Sequence, residues 1–97
     1  MRVIKRQTLL RCWTKHNQAE TPLRAWYAEV RAAKWNGPAD VKKAYGSADI
    51  LPNNRVVFNI GGNNFRLVAK VMYTPGLVYI RFVGTHSEYD KIDAETI

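Results

Sequence analysis

The strongest constraint on this fold is a change in hydrophobic period near residue 55. Before it, apolar residues recur every three or four positions, as Leu9, Leu10 and Trp13 do in a helix predicted from Gln7 to about His16. After it they alternate by two, the period of a pleated strand, in three sets: Val56, Phe58, Ile60; Phe65, Leu67, Ala69, Val71, Tyr73; and Val78, Ile80, Phe82. The sequence therefore predicts an α+β fold, with N-terminal helices packed on one face of a small antiparallel β-sheet.

The first half holds two more predicted helices and one weak strand. Thr21 followed by Pro22 offers an N-cap and a first helical residue, which predicts a helix running to about Lys34. A shorter helix is predicted over residues 39–45, and Met1 to Arg6 has the β-branched pair of a short strand. A length of 97 residues predicts that residues 1–97 form one domain.

Two turn signals join the three predicted strands into hairpins. Gly61-Gly62-Asn63-Asn64 and Thr74-Pro75-Gly76 are rich in residues that favour turns. In the first hairpin, the apolar residues of both strands share one face when Ile60 pairs with Phe65. This register places Asn59 opposite Arg66 and Arg55 opposite Lys70. In the second, pairing Tyr73 with Val78 places Lys70 opposite Arg81.

The predicted sheet carries an uncompensated set of cations on its open face. Arg66 and Lys70 lie roughly 13 Å apart at about 3.3 Å per residue, with Arg81 beside them. No Asp or Glu occurs between Ile50 and Ser87. Because opposed like charges destabilise a sheet, a bound anion such as a nucleic-acid phosphate would compensate them. The alternative is that long cations simply cover the solvent side of the sheet.

Charge and cysteine content narrow the classes of partner and site. A net charge of +7 and a pI near 9.9 favour polyanionic partners, nucleic acid first. The single cysteine, Cys12, excludes an intramolecular disulfide, fits a reducing cytoplasm and leaves a zinc site short of thiolates. We expect no cofactor, no metal, no membrane span and no export, since the chain has no apolar run of about 18 residues and none of the commonest nucleotide-binding or hydrolase motifs.

The densest titratable cluster follows the last predicted strand, in Thr85-His86-Ser87-Glu88-Tyr89-Asp90-Lys91. Imidazole can exchange a proton near neutral pH, and a tyrosine ring can stack on a base. The alternative is structural: His86, Glu88 and Asp90 would cap a short helical turn, with Tyr89 packed as a boundary aromatic.

The strand residues 55–63, the segment Phe65-Arg66-Leu67-Val68, and residues 79–90, which end in T-H-x-E-Y-D, together resemble the HigB toxin family. The resemblance covers nearly the whole chain. It implies a RelE-like toxin of a type II toxin–antitoxin system, an mRNA interferase that cuts messenger RNA on the translating ribosome. It also implies a HigA-type helix-turn-helix antitoxin as partner, through which alone the toxin would reach operator DNA.

The resemblance also implies roles for individual residues in cleavage by a 2′-hydroxyl attacking the adjacent phosphate. Arg66 corresponds to a phosphate-side charge stabiliser of RelE-like toxins, assisted by Lys70 and Arg81. His86 becomes the acid or the base, and Tyr89 the stacking residue. His86 stands where several RelE-like members have an arginine, so the division of acid and base roles stays open. The expected RNA-binding residues are Arg55, Asn59, Lys70, Arg81 and Lys91.

Two other functions use the same basic surface. A small RNA- or ribosome-binding module would contact phosphates without cutting the strand. A DNA-binding repressor is the weaker alternative, because no helix-turn-helix with a basic recognition helix stands out.

Overall fold

A computed structural model describes residues 1–62 and 64–97. In chain order the elements are β1 (Arg2–Ile4), α1 (Gln7–Lys15), α2 (Glu20–Ala32), α3 (Pro38–Ala44), β2 (Asp49–Leu51), β3 (Arg55–Ile60), β4 (Phe65–Met72), β5 (Leu77–Thr85) and α4 (His86–Tyr89). This order confirms the α+β prediction. None of the helices in the described part of the chain has the length and apolar character needed to cross a bilayer.

The second helix begins earlier than its sequence signal predicts. A 3-10 turn over Asn17–Ala19 leads directly into α2, so Ala19 occupies the cap position and Thr21 does not. Pro22 lies inside the first turn, where a helix leaves its backbone N–H groups without intrahelical partners and proline therefore loses nothing.

Besides the three strands of the predicted hairpins the sheet has two short edge strands, and it is mixed. The strand order is β1-β5-β4-β3-β2, with β1 parallel to β5 and the other neighbours antiparallel. Both edge strands span three residues, which is too short for an alternating pattern to be visible. The weakly predicted first strand is thus real, and β2 had no sequence signal.

The predicted register of the first hairpin is confirmed. Ile60 pairs with Phe65, Asn59 with Arg66, and Arg55 with Lys70. Asn63, which the sequence places in the connecting turn, lies outside the described residues.

The predicted register of the second hairpin is wrong. Val71, not Tyr73, pairs with Val78, so Lys70 lies opposite Tyr79 and not Arg81. Gly76 has a φ of 96°, a left-handed conformation that suits glycine, and it ends the turn one residue early. Arg81 is the extra residue of a β-bulge, since Ile80 pairs with Ala69 while Phe82 pairs with Val68.

The two faces of the sheet are covered by different parts of the chain. The helix side holds the main core, in which Trp26, Phe58 and Leu67 are among the fully buried side chains. On the other face Val57 and Val68 form a second cluster with Ala94, flanked by Leu51, Phe82, Tyr89, Ile92 and Ile97. The face predicted to be open is therefore partly covered by the segment that follows α4.

Candidate active site

Arg66 is the second residue of β4, the central strand of the sheet, and it lies on the face away from the main core. It is half-buried and stands between Asn59 of β3 and Gly84 of β5. Its guanidinium carbon lies 4.8 Å from the centroid of the Tyr89 ring, a cation–π contact. Within residues 1–62 and 64–97, the buried Nε of Arg66 has no hydrogen-bond partner. The guanidinium is thus held by an aromatic face and keeps donor capacity for an anion.

The short helix α4 is fixed at its start by a capping box. Thr85 Oγ1 accepts a hydrogen bond from the Glu88 backbone N–H at 3.2 Å, and Glu88 Oε1 accepts one from the Thr85 backbone N–H at 2.8 Å. The turn places His86 and Tyr89 three residues apart, so both project from the same side. The helical-turn interpretation is confirmed in part: Thr85 and Glu88 make the cap, and Tyr89 borders the second apolar cluster.

Glu88 also ties α4 to the end of α1. Lys15 Nζ donates to Glu88 Oε2 at 3.2 Å, and His16 Nε2 lies 3.8 Å from Oε1. The hydrogen bond from the Thr85 backbone N–H lowers the pKa of Glu88 below its ordinary value; burial opposes this and Lys15 adds to it. His16 is half-buried beside Phe65, with ring centroids 5.5 Å apart.

Gly84 lets α4 lie against β5 beside Arg66. A Cβ atom at this position would come within 2.7 Å of Glu88 Oε1 and 2.9 Å of Phe82 Cζ. Phe82 in turn lies 6.4 Å from Tyr89, centroid to centroid. The missing side chain therefore makes room for the packing that brings the Tyr89 ring over Arg66.

Two more predicted residues have buried polar atoms without partners in the described part of the chain. One is Nε2 of the half-buried His86, and the other is Oδ1 of Asn59, whose Nδ2 donates to the Ser47 carbonyl at 3.1 Å. Buried polar atoms are nearly always satisfied in folded proteins. An exception of this kind calls for an explanation, and a ligand with complementary groups is one.

The other predicted RNA-binding residues lie farther along the chain or the sheet. Lys70 is half-buried on the same strand and face as Arg66. Arg81 lies over the Tyr79 ring, 5.0 Å from its centroid, and Lys91 is exposed just after α4. Arg55 is held by the chain itself, since its guanidinium donates to the Ile97 and Asn53 carbonyls.

Sequence reasoning from the residues missed the structural partners of the site. Gly84 received no role, Glu88 was considered only as a cap of the helical turn, and Lys15 and His16 were not connected with α4. The pattern Thr85-x-x-Glu88 is a capping-box signal and could have identified Thr85 as the partner of Glu88 in the cap. Nothing in the sequence indicates that the end of α1 meets α4, because that contact depends on tertiary packing.

Two comparisons relate this chain to known proteins. Residues 19–92 match a family model described as HigB_toxin, RelE-like toxic component of a toxin-antitoxin system. The mRNA interferase toxin HigB of Escherichia coli strain K12 is 34% identical over 97% of this chain and 92% of its own length, and the mRNA interferase HigB of Shigella flexneri gives the same values. The mRNA interferase HigB of Escherichia coli O6:H1 is 23% identical over 95% of this chain and 91% of its own length.

The matched region contains Arg66, His86 and Tyr89, together with Gly84 and Glu88 that position them. The α+β arrangement with a central sheet fits the same family. The chain therefore belongs to the HigB toxin family, the RelE-like toxic component of a toxin–antitoxin system.

Proposed function

We propose that this chain is a cytoplasmic mRNA interferase toxin, a single RelE-like domain over residues 1–97 that cuts messenger RNA on the translating ribosome. Its enzyme class, endoribonuclease, is supported by relatives named mRNA interferase that align with 97% of the chain. The finer points, which are the mechanism, the ribosome and the antitoxin, rest on the site described above and on the family.

The observation that carries the proposal is the position of the Arg66 guanidinium, which is half-buried against the Tyr89 ring. A half-buried guanidinium braced by an aromatic ring is pre-oriented, so it needs little rearrangement to meet an anion. Its guanidinium makes no hydrogen bond within the described part of the chain, so its terminal N–H groups can donate to a phosphate oxygen. Such a group is suited to stabilise negative charge that grows on a phosphate during strand cleavage.

The proposed reaction needs a base, an acid and positive charge at the phosphate. The 2′-oxygen of a ribose attacks the adjacent phosphorus, a base removes its proton, and the bond to the departing 5′-oxygen breaks as an acid protonates it. The products are a 2′,3′-cyclic phosphate and a 5′-hydroxyl end. Arg66 stabilises the developing charge, His86 acts as the acid or the base, and Tyr89 stacks on a base beside the cleaved bond.

The RNA strand is proposed to run along the same face of the sheet. Lys70 follows Arg66 along β4 and would contact a neighbouring phosphate, while Asn59 beside Arg66 offers an amide. Arg81 and Lys91 extend the path at the β5 bulge and after α4. We assign Arg55 the outermost contact, since the Ile97 carbonyl already occupies part of its guanidinium.

A HigA-type antitoxin with a helix-turn-helix domain is the proposed partner. The toxin would reach operator DNA only through that antitoxin. A net charge of +7 makes an acidic antitoxin surface complementary to the toxin.

The test is cleavage of a defined message in a translation extract, followed by mapping of new 5′ ends. We expect Arg66→Ala to lower the cutting rate by about 10²–10³-fold, the usual effect of removing a transition-state charge donor, and His86→Ala to lower it strongly. Arg31→Ala, which removes an exposed arginine of α2, is the matched control and should cut normally.

Full cutting and growth arrest by both the Arg66 and the His86 variant would reject these assignments. Protection of the message without scission by the unaltered chain would instead support a non-catalytic RNA- or ribosome-binding module.

A further inference from the structure

A basic concavity lies at the edge of the sheet, between α1 and β5, just beyond the end of β1. Its volume is about 310 Å³, and it is lined by Lys5, Thr8, Arg11, Tyr79, Ile80 and Arg81. Three of these six side chains are cationic and none is acidic. The site is separate from Arg66, His86 and Tyr89.

The three cations come from three different parts of the backbone. Lys5 has a φ of 72° and turns the chain from β1 towards α1, Arg11 projects from the middle of α1, and Arg81 is the extra residue of the β5 bulge. Each of the three is exposed. The ion pairs found in the described part of the chain involve Lys15, His16 and Arg24, and none of the three pocket cations.

The positive charges of Lys5, Arg11 and Arg81 repel one another, and a bound anion would reduce this repulsion. Like charges held close together destabilise the fold when no carboxylate neutralises them. The Tyr79 ring holds the Arg81 guanidinium at 5.0 Å, and the Thr8 hydroxyl adds a neutral donor to the wall. Converging ammonium, guanidinium and hydroxyl donors suit a compact oxyanion with several acceptor oxygens, which is the character of a phosphate group.

The pocket adjoins the proposed path of the RNA. Tyr79, which forms its wall, pairs directly with Lys70, and Lys70 lies on the same strand and face as Arg66. Neighbouring strands are about 4.8 Å apart, so a chain of cations leads from Arg66 through Lys70 to Arg81 and the pocket. A single strand that occupies the first part of this face would reach the pocket next.

We propose that the concavity formed by Lys5, Arg11 and Arg81 is a phosphate-binding subsite for a backbone phosphodiester of single-stranded RNA, remote from the cleaved bond. The inference rests on the proposed function for the identity of the strand. It adds Lys5, Arg11 and Thr8 to the RNA-binding surface, and it gives the bulge at Arg81 a purpose.

The test is binding of a labelled single-stranded 2′-O-methyl RNA, which cannot be cut by 2′-hydroxyl attack, by the full chain at increasing salt. For one phosphate contact on a single strand, the slope of log affinity against log salt changes by about 0.7. We therefore expect Lys5→Gln/Arg11→Gln to bind about five-fold more weakly at ~0.1 M salt, with the difference vanishing towards ~1 M. The matched control is Lys34→Gln/Lys43→Gln, which removes the same charge from exposed positions outside the pocket.

An equal loss of affinity in both double variants would overturn the proposal, because the pocket would then contribute only net charge. Unchanged RNA binding by Lys5→Gln/Arg11→Gln would overturn it as well. Unchanged RNA binding by Lys5→Gln/Arg11→Gln, together with weaker binding of the antitoxin, would show that the pocket is a protein interface and not an RNA subsite. The assay does not read cleavage, so an unaltered chain that binds but never cuts would contradict the proposed function and leave the subsite standing.

Discussion

The two faces of the central sheet are built on opposite principles. The face towards the helices is continuous and apolar, with Trp26, Phe58 and Leu67 fully buried. The other face is divided: Val57 and Val68 are buried beneath residues 90–97, while Arg66 and Lys70, on the same strand as Val68, remain half-buried and charged. Stability is concentrated on the first face, and the second face uses a smaller apolar cluster to support a cationic site.

The division of the second face has a consequence for function. Phe82 and Tyr89 belong to its apolar cluster, yet Tyr89 also lies against Arg66. The same ring therefore joins the part of the face that is packed to the part that is charged. Changes to the helix-side core should act through unfolding, whereas changes to the second face should alter activity more than stability.

The largest effect should come from the same truncation made on the two faces. Phe58→Ala should lower the free energy of unfolding by about 3–5 kcal/mol, because it opens a cavity in a dry core. Phe82 is only half-buried, so Phe82→Ala should cost about half as much, since its site can open to solvent. Urea unfolding with a common denaturant slope measures both values.

The activity of the two variants sharpens the comparison. Under conditions where both are folded, Phe58→Ala should cut RNA normally and Phe82→Ala should be impaired, because Phe82 supports Tyr89. The reverse order of stability losses, or normal cutting by Phe82→Ala, would show that the two faces do not differ as described.

Gly84→Ala tests the close approach of α4 to the sheet. The added methyl group would contact Glu88 Oε1 and Phe82 Cζ at 2.7 and 2.9 Å, so one of them must move. We expect a loss of about 1–3 kcal/mol in unfolding free energy together with slower cutting. Gly46→Ala is the control, since a Cβ there meets nothing within 4 Å in the described structure. Equal stability and equal cutting rates of Gly84→Ala and Gly46→Ala would show that Gly84 has no part in positioning Tyr89.

Two substitutions at Tyr89 separate its ring from its hydroxyl. Tyr89→Phe keeps the aromatic face over Arg66 and should cut within a few-fold of the unaltered chain. Tyr89→Leu keeps the apolar contact but loses about 1–2 kcal/mol of cation–π interaction, which should slow cutting about ten-fold. Single-turnover cleavage measures both. If Tyr89→Phe proved as slow as Tyr89→Leu, the hydroxyl would have a role in proton transfer.

The sequence predicts best where one apolar pattern decides the structure. The register of the β3–β4 hairpin follows from alternation, because a slip of one residue would expose a whole apolar set, and Asn59 and Arg66 are indeed paired. The β4–β5 register depends on where Gly76 ends the turn and on a bulge at Arg81. Neither feature changes the alternation of apolar residues, so a register based on alternation alone placed Arg81 opposite Lys70, which is wrong.

The sequence allowed the chemistry of the candidate site to be proposed, but it did not show which residues support that site. Arg66, His86 and Tyr89 were identified from residue types and from resemblance to the HigB family, and the contact of Arg66 with Tyr89 agrees with that grouping. The link from Glu88 to Lys15 joins residues 73 positions apart, so only the folded packing brings them together. The sequence also did not predict that residues 90–97 cover part of the sheet, because this contact too depends on folded packing.

The smallest expected effect concerns the charge of Glu88. Its pKa is lowered in the folded chain, mainly by the Thr85 backbone N–H, so its ionised form stabilises the fold above the ordinary pKa of a glutamate. This contribution should disappear as the pH falls through the lowered value. Glu88→Gln keeps a capping-box residue but removes the charge and the ion pair with Lys15. We expect a loss of about 0.5 kcal/mol near neutral pH, because the pair is largely exposed.

The difference in unfolding free energy between the unaltered chain and Glu88→Gln should therefore depend on pH. This dependence reports on Glu88 alone, because every other carboxylate is the same in both proteins. Once the pH is below the lowered pKa of Glu88, the unaltered chain and Glu88→Gln should be nearly equal in unfolding free energy, since both side chains are then mostly uncharged. Lys15→Gln should show most of the same loss near neutral pH if the ion pair dominates, and little of it if the Thr85 hydrogen bond does. A constant difference from acid to neutral pH would mean that amide geometry, and not charge, sets the effect, and α4 would then be held to the sheet by packing and not by the charge of Glu88.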